Sequence, residues 1–425
     1  MTMNPLQGLA AARAKGKPYG ITSVCSAHPL VIQAAVRRAV ADDDVVLLIE
    51  ATCNQVNQFG GYTGMTPDLF VAFVKEIAGR EGLPAERIIF GGDHLGPNPW
   101  KAEPAGEAMA KAEAMVTAYV WAGFSKIHLD ASMGCAGEPA ALDDETIAAR
   151  AARLAKAAEK AARARGGTLP LYIIGTEVPV PGGADHAISD LKPTEAKAAR
   201  RTIDVHREIF AREGLDEAFG RVIAVVVQPG VEFGSENVVP YKPQASAPLT
   251  TLLDQEASLV YEAHSTDYQG RAALTALVAN GFPILKVGPG LTFALREALY
   301  GLDLVASEMV ANYGERPLAR AMEKVMLSAP GHWRSHYHGD DRRLYLQRHY
   351  SYSDRIRYYW TNPAASVAVA RLRDALGGVA IPETLMRQFL PTLPAALGAA
   401  GDPEAVLIAA VDLVLADYDA ACRPA

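Results

Sequence analysis

The sequence predicts an α/β fold, a TIM (β/α)8 barrel with a C-terminal helical extension, on three observations. Eight short apolar runs rich in Val and Ile precede residue 291, helical patterns separate them, and each run ends in a small cluster of polar, reactive side chains. A short apolar run without alternation is the signature of a strand buried on both faces. Strand, helix, strand repeated in this way makes parallel pairing through right-handed crossovers the expected topology. Polar residues gathered at the C-terminal strand ends mark the catalytic face of such a barrel. A doubly wound open sheet is the rival architecture.

In chain order, Ile21 to Cys25 leads to Ser26-Ala27-His28, and Val45 to Ile49 leads to Glu50 and the segment opening at Asn54 and Gln55. Ile88 to Gly92 runs into Asp93-His94, Lys126 to Leu129 into Asp130-Ala131-Ser132, and Leu171 to Gly175 into Thr176-Glu177. Val222 to Val227 runs into Gln228-Pro229-Gly230, Leu259 to Ala263 into His264-Ser265-Thr266-Asp267, and Ile284 to Val287 into Gly288-Pro289-Gly290. Helices are expected over 29–41, 67–80, 106–122, 144–165, 193–213, 270–280 and 291–302. The Ala-rich stretch 144–165 is the clearest, with acidic residues at its start and basic ones toward its end, as the helix dipole favours. After about residue 310 the apolar runs stop, and helices over 318–326, 364–376 and 403–418 surround an aromatic and basic stretch, His332 to Trp360. The expected organisation is a barrel over 1–310 and a helical extension over 311–425 packed on it, with His332 to Trp360 folded back over the barrel mouth.

Composition excludes several classes. At 425 residues the chain exceeds the roughly 250 of a plain barrel. Half of it is hydrophobic and 21% charged, as in an ordinary globular enzyme. No apolar run is long enough to span a membrane, and the first residues lack the apolar core of an export signal. Four cysteines without CxxC spacing suit a reducing cytoplasm. A net charge of -7 argues against nucleic-acid binding. There is no phosphate-loop or dinucleotide fingerprint and no nucleophile elbow, so ATP-dependent kinase chemistry has no motif behind it.

The strand ends carry the candidate chemistry. Asp93 and His94 put a carboxylate and an imidazole side by side, one suited to moving protons and the other to holding a divalent ion. His264 and Glu177 could join His94 around such an ion and leave positions open for a bound carbonyl. Asn54 and Gln55, with donors and acceptors together, suit sugar hydroxyls. Gly288 and Gly290, ahead of a helix N-terminus, suit a phosphate. Lys286 could serve as a Schiff-base amine or face substrate. In the stretch Tyr350 to Trp360, Arg355 is a candidate for phosphate or subunit contacts.

At these motifs the chain resembles the Z-type subunit family of class II D-tagatose-1,6-bisphosphate aldolase, also labelled tagatose-6-phosphate kinase. The resemblance runs through SVCSAHP at 23–29, IEATCNQVNQFGGYTGM at 49–65, GGDHLGPN at 91–98, KIHLD at 126–130 and GTEVPVPGGA at 175–184. It continues with VVQPGVEF at 226–233, EAHSTDYQ at 262–269 and ILKVGP at 284–289. It implies a barrel related to the zinc-dependent class II aldolases and a role in galactitol or N-acetylgalactosamine breakdown. Asp93 then matches the proton-transferring Asp, and His94 and His264 match metal ligands, with zinc the implied ion. Where catalytic relatives end strand six in a further zinc-binding His, this chain has Gln228, a substrate-facing candidate, and Glu177 or Asp130 would have to take the vacant position. Asp130 is otherwise a candidate for substrate contact. The leading expectation is therefore a cytoplasmic Z-type subunit that binds a sugar or sugar phosphate and supports a separate catalytic class II aldolase chain. The alternative is an autonomous metal-dependent aldolase or 4-epimerase of ketoses or ketose phosphates, acting by retro-aldol chemistry. Either fits a homo-oligomer, and neither requires nucleic acid or a membrane.

Overall fold

The computed structural model describes residues 4–175 and 191–423. Eight parallel strands close into a barrel in chain order, as the apolar runs predict. They are β1 (Ile21–Cys25), β2 (Leu47–Thr52), β3 (Ile88–Leu95), β4 (Lys126–Leu129), β5 (Leu171–Ile174), β6 (Val222–Val226), β7 (Val260–Ala263) and β8 (Ile284–Val287). Ser23 of β1 pairs with Leu48 on one side and Lys286 on the other, which closes the ring. β3 runs further than its apolar run, through Asp93 and His94 to Leu95, and its register with β4 shifts between Gly92 and Leu95.

The barrel interior changes character along its axis. Its lower part is apolar, and Leu6 and Leu9 of an N-terminal helix (Pro5–Ala14) pack into that cluster beside Ile21, Leu48 and Ile284. That helix was not anticipated. Leu6 and Leu9 are its only large apolar side chains, too few to mark a helical face in the sequence.

Nearer the mouth the interior is charged. Lys126 is fully buried, with Nζ 2.5 Å from Glu50 Oε1 and 2.7 Å from Glu262 Oε2. Lys286 pairs with Glu50 and stands 2.9 Å from Asp93 Oδ1. Gly91 belongs to this arrangement, because a Cβ there would lie 2.6 Å from Glu50 Oε1.

Helices cover the outside of the barrel. The C-terminal helix Pro403–Cys422 packs against Pro29–Ala41, Gly270–Ala279 and Pro289–Met309. Its Cys422 carbonyl accepts the Gly20 N–H at 2.7 Å, so the end of the chain is tied to the start of β1. A short antiparallel hairpin, Glu232–Phe233 with Val238–Val239, follows β6 and was not foreseen. Residues 332–360, expected as a loop, contain a helix (Asp341–Tyr350) and a tight turn (Arg355–Tyr359), and Arg357 and Tyr358 reach the cavity at the strand ends. Among the described residues no helix is long and apolar enough to cross a membrane.

Removing one member of a buried ion pair leaves the other charge without compensation. Lys126→Met is expected to lower unfolding free energy by about 3–5 kcal/mol, read from the midpoint of urea denaturation. A loss below about 1 kcal/mol, the size of an exposed pair, would contradict this charge balance.

Candidate active site

Four buried side chains from three strands converge at the barrel mouth. Asp93 and His94 come from β3, His128 from β4 and His264 from the end of β7, and each offers a ligand atom within 4.8 Å of the others. Local backbone strain helps to aim them. His94 and Ser265 both adopt left-handed φ, 48° and 51°, a conformation that side-chain-bearing residues hold only where surroundings enforce it.

The hydrogen bonds of the rings decide which nitrogens face inward. His94 Nδ1 lies 2.8 Å from Asp130 Oδ2, and His264 Nε2 lies 2.9 Å from Glu262 Oε1. His128 Nε2 lies 2.9 Å from the Gly175 carbonyl, and its Nδ1 accepts the His94 N–H at 3.2 Å. His94 and His264 each turn one ring nitrogen to a carboxylate, the arrangement that orients metal-bound histidines, whereas His128 Nδ1 faces the cluster while accepting the His94 N–H and lying 3.1 Å from Asp93 Oδ1. The surroundings suit a cation as well. Three carboxyl groups, from Glu50, Asp93 and Glu262, surround the two ammonium groups of Lys126 and Lys286. His94, His264 and Asp93 therefore fit a divalent ion in donor type, and His128 Nδ1 would join them by giving up the His94 N–H.

Burial pushes His264 down to about 3, so that ring is neutral. Burial would raise the Asp93 carboxyl, but His94 and Lys286 outweigh it and hold the group well below the usual carboxylate range. Burial would likewise lower Lys286, yet Asp93 and Glu50 among its neighbours hold it well above the usual lysine value. Lys286 is thus held as an ammonium among carboxylates, which disfavours the neutral amine a Schiff base needs.

Residues 6–423 match the family described as D-tagatose-1,6-bisphosphate aldolase subunit GatZ/KbaZ-like. The chain belongs to the GatZ/KbaZ-like family. It is 70% identical over 416 residues, 98% of either chain, to a protein of Agrobacterium fabrum (strain C58) named D-tagatose 6-phosphate 4-epimerase. A crystal structure from Sinorhizobium meliloti 1021, named a probable tagatose 6-phosphate kinase, is 56% identical with a TM-score of 0.87, covering 95% of this chain and 100% of that one. The fructuronate-tagaturonate epimerase UxaE of Cohnella laeviribosi shares the fold at 11% identity and a TM-score of 0.52, over 94% of this chain and 81% of its own.

Within this GatZ/KbaZ-like barrel, some candidates gather and others do not. Asp93, His94, His264, Asn54, Gln55, Lys286 and Gly288 line one cavity with Cys25, Tyr62, Asp267 and Arg357. Glu177 lies outside the described residues. His128 was missed, although Lys126-Ile127-His128-Leu129 alternates polar with apolar, which puts Lys126 and His128 on one face of β4.

Four candidates are already engaged within the chain. The Asp130 carboxylate lies 2.8 Å from His94 Nδ1 and accepts the Ser132 Oγ hydrogen bond at 2.9 Å. Gln228 does not line the cavity, since its Oε1 accepts the N–H groups of Gly230 and Val231 at 2.8 and 2.9 Å. The Gly288 and Gly290 N–H groups both donate to Asp267 Oδ1, at 3.0 and 2.7 Å, so a carboxylate already fills the expected phosphate cradle. Arg355 turns to the His332 carbonyl, and Arg357, two residues on, is the arginine that lines the cavity.

Two expectations follow. Asp130→Asn should weaken divalent-ion affinity about 10–100-fold in a chelator competition; unchanged affinity would remove His94 from the ligand set. Burial raises Asp267 to about 6, above its unfolded value, so its contribution to stability is present below pH about 4 and is lost as pH rises through 6. Asp267→Asn keeps an acceptor for both glycines and is expected to be more stable than wild type at pH 7, by up to about 3 kcal/mol, with no advantage at pH 4 in paired denaturant titrations.

Proposed function

We propose that the chain is itself an enzyme, a metal-dependent 4-epimerase that interconverts tagatose 6-phosphate and its C4 epimer, fructose 6-phosphate. The observation that carries this reading is the third imidazole. The vacancy at Gln228 had favoured a helper role, but His128 completes a set of three His with Asp93 inside one chain. The name of the 70% identical relative supports the same chemistry.

A divalent ion bound by His94, His128 and His264 would polarise the C2 carbonyl of the ketose. Asp93, ionised at neutral pH, takes the proton from the C4 hydroxyl. The bonding pair of C3–C4 moves toward the C2 carbonyl, and C4 becomes an aldehyde carbon. The aldehyde turns over inside the cavity, C3 adds to its opposite face, and the proton returns to the new C4 oxygen. No atom is lost and no redox partner is needed. Asn54 and Gln55, at the cavity wall, suit the sugar hydroxyls that keep both fragments in place.

The family description favours a second reading, in which the chain supports a catalytic class II aldolase. The two differ in what the purified chain does. With added divalent metal it is expected to epimerise tagatose 6-phosphate alone, without incorporation of solvent deuterium at C4 when run in D2O, and Asp93→Asn should lose at least about a hundredfold in kcat. Turnover that appears only with a partner aldolase would favour the helper role, and deuterium at C4 would exclude the retro-aldol route.

A further inference from the structure

With Gly288 and Gly290 engaged by Asp267, the phosphate end of the substrate has no holder at the expected helix N-terminus. Resting on the epimerase reading, we propose that this phosphate lies in a second chamber, between the barrel and the C-terminal helices, where the Arg357 guanidinium binds it.

Size and connection support the placement. The cavity at Asp93 holds only about 110 Å³, whereas the chamber beside it holds about 730 Å³. Sites for small ligands commonly span about 300–1,000 Å³. The two spaces share Cys25, Gln55, Tyr62, Gly288 and Arg357 in their walls. A phosphorylated ketose with its carbonyl end at the histidines would extend past Tyr62 and Arg357 into the larger space.

Arg357 is built to meet an anion there. It is half-buried, and its Nη1 donates to the carbonyls of Ser353 and Asp354 while Nη2 donates to Tyr358 Oη at 2.9 Å. All of these acceptors are neutral. Two carboxylates feel its charge, but Asp267 is committed to the two glycines and Asp354 to Thr292 Oγ1 at 2.7 Å and to Arg296. A guanidinium anchored on neutral oxygens keeps its charge available for a phosphate, the pairing its planar fork suits best. The outer walls add Arg80 and Arg373, the latter paired with Glu404, so the chamber carries more guanidinium than carboxylate.

The test pairs tagatose 6-phosphate with unphosphorylated tagatose on wild type, Arg357→Gln and Ala370→Glu. Ala370 lines the chamber from helix Pro363–Leu376, and a carboxylate there would repel a phosphate while leaving Arg357 itself unaltered. Arg357→Gln is expected to raise KM for the phosphate ester about ten- to a hundredfold and to leave KM for tagatose within about twofold; Ala370→Glu should move the ester in the same direction. Equal losses on both sugars, or no change on either, would overturn the proposal. If wild type turns over neither sugar, the epimerase reading fails, and thermal unfolding decides the site separately. Tagatose 6-phosphate should raise the wild-type midpoint more than tagatose does, and Arg357→Gln should erase the difference. A difference that persists in the variant, or is absent in wild type, would refute the site.

Discussion

The site rests on the pairing of buried charges inside the barrel. Lys126 has no exposure to solvent, and an ammonium so placed is tolerated only if carboxylates surround it. Glu50 and Glu262 do so, and both are then committed in position. Glu262 also holds Nε2 of His264, and Glu50 also pairs with Lys286, which in turn stands against Asp93. Orientation is thus passed from the barrel centre to its mouth through contacts strong enough to be costly to break. Even the glycine at position 91 follows from this layer, since Glu50 occupies the space a side chain would need.

Above that layer, three strands contribute one imidazole each, and each ring is fixed by a different acceptor: a carboxylate for His94, a carbonyl for His128 and a carboxylate for His264. Strands parallel to one another and closed into a ring are what bring such distant residues within 4.8 Å. The polypeptide beyond the eighth strand then supplies Arg357 and Tyr358, and Tyr358 meets Tyr62 from the loop after β2 at 4.7 Å between ring centroids.

The barrel was legible because strands covered on both faces leave apolar runs that recur between helical patterns. Asp93, His94 and His264 were legible for a related reason: polar residues at the ends of such runs stand out. His128 did not, because it sits within a run, where one polar residue among apolar neighbours reads as noise until its face is considered. The Gln228-Pro229-Gly230 turn signal was readable, but the way the Gln228 side chain closes on its own loop depends on geometry. Gly288 and Gly290 looked open to a phosphate because Asp267, 21 residues before Gly288, meets them only once β7 and β8 pair. Arg355 and Arg357 lie two apart in a tight turn, so their side chains leave on different sides, and sequence alone could not say which side faces the cavity.

The central claim is that one chain assembles a complete divalent-metal site from His94, His128 and His264. Anomalous diffraction from crystals grown with zinc, recorded at the zinc edge, tests it most directly. We expect a single strong peak about 2.0–2.1 Å from His94 Nε2, His128 Nδ1 and His264 Nδ1. A peak bound without His128, or none at the barrel mouth, would contradict it.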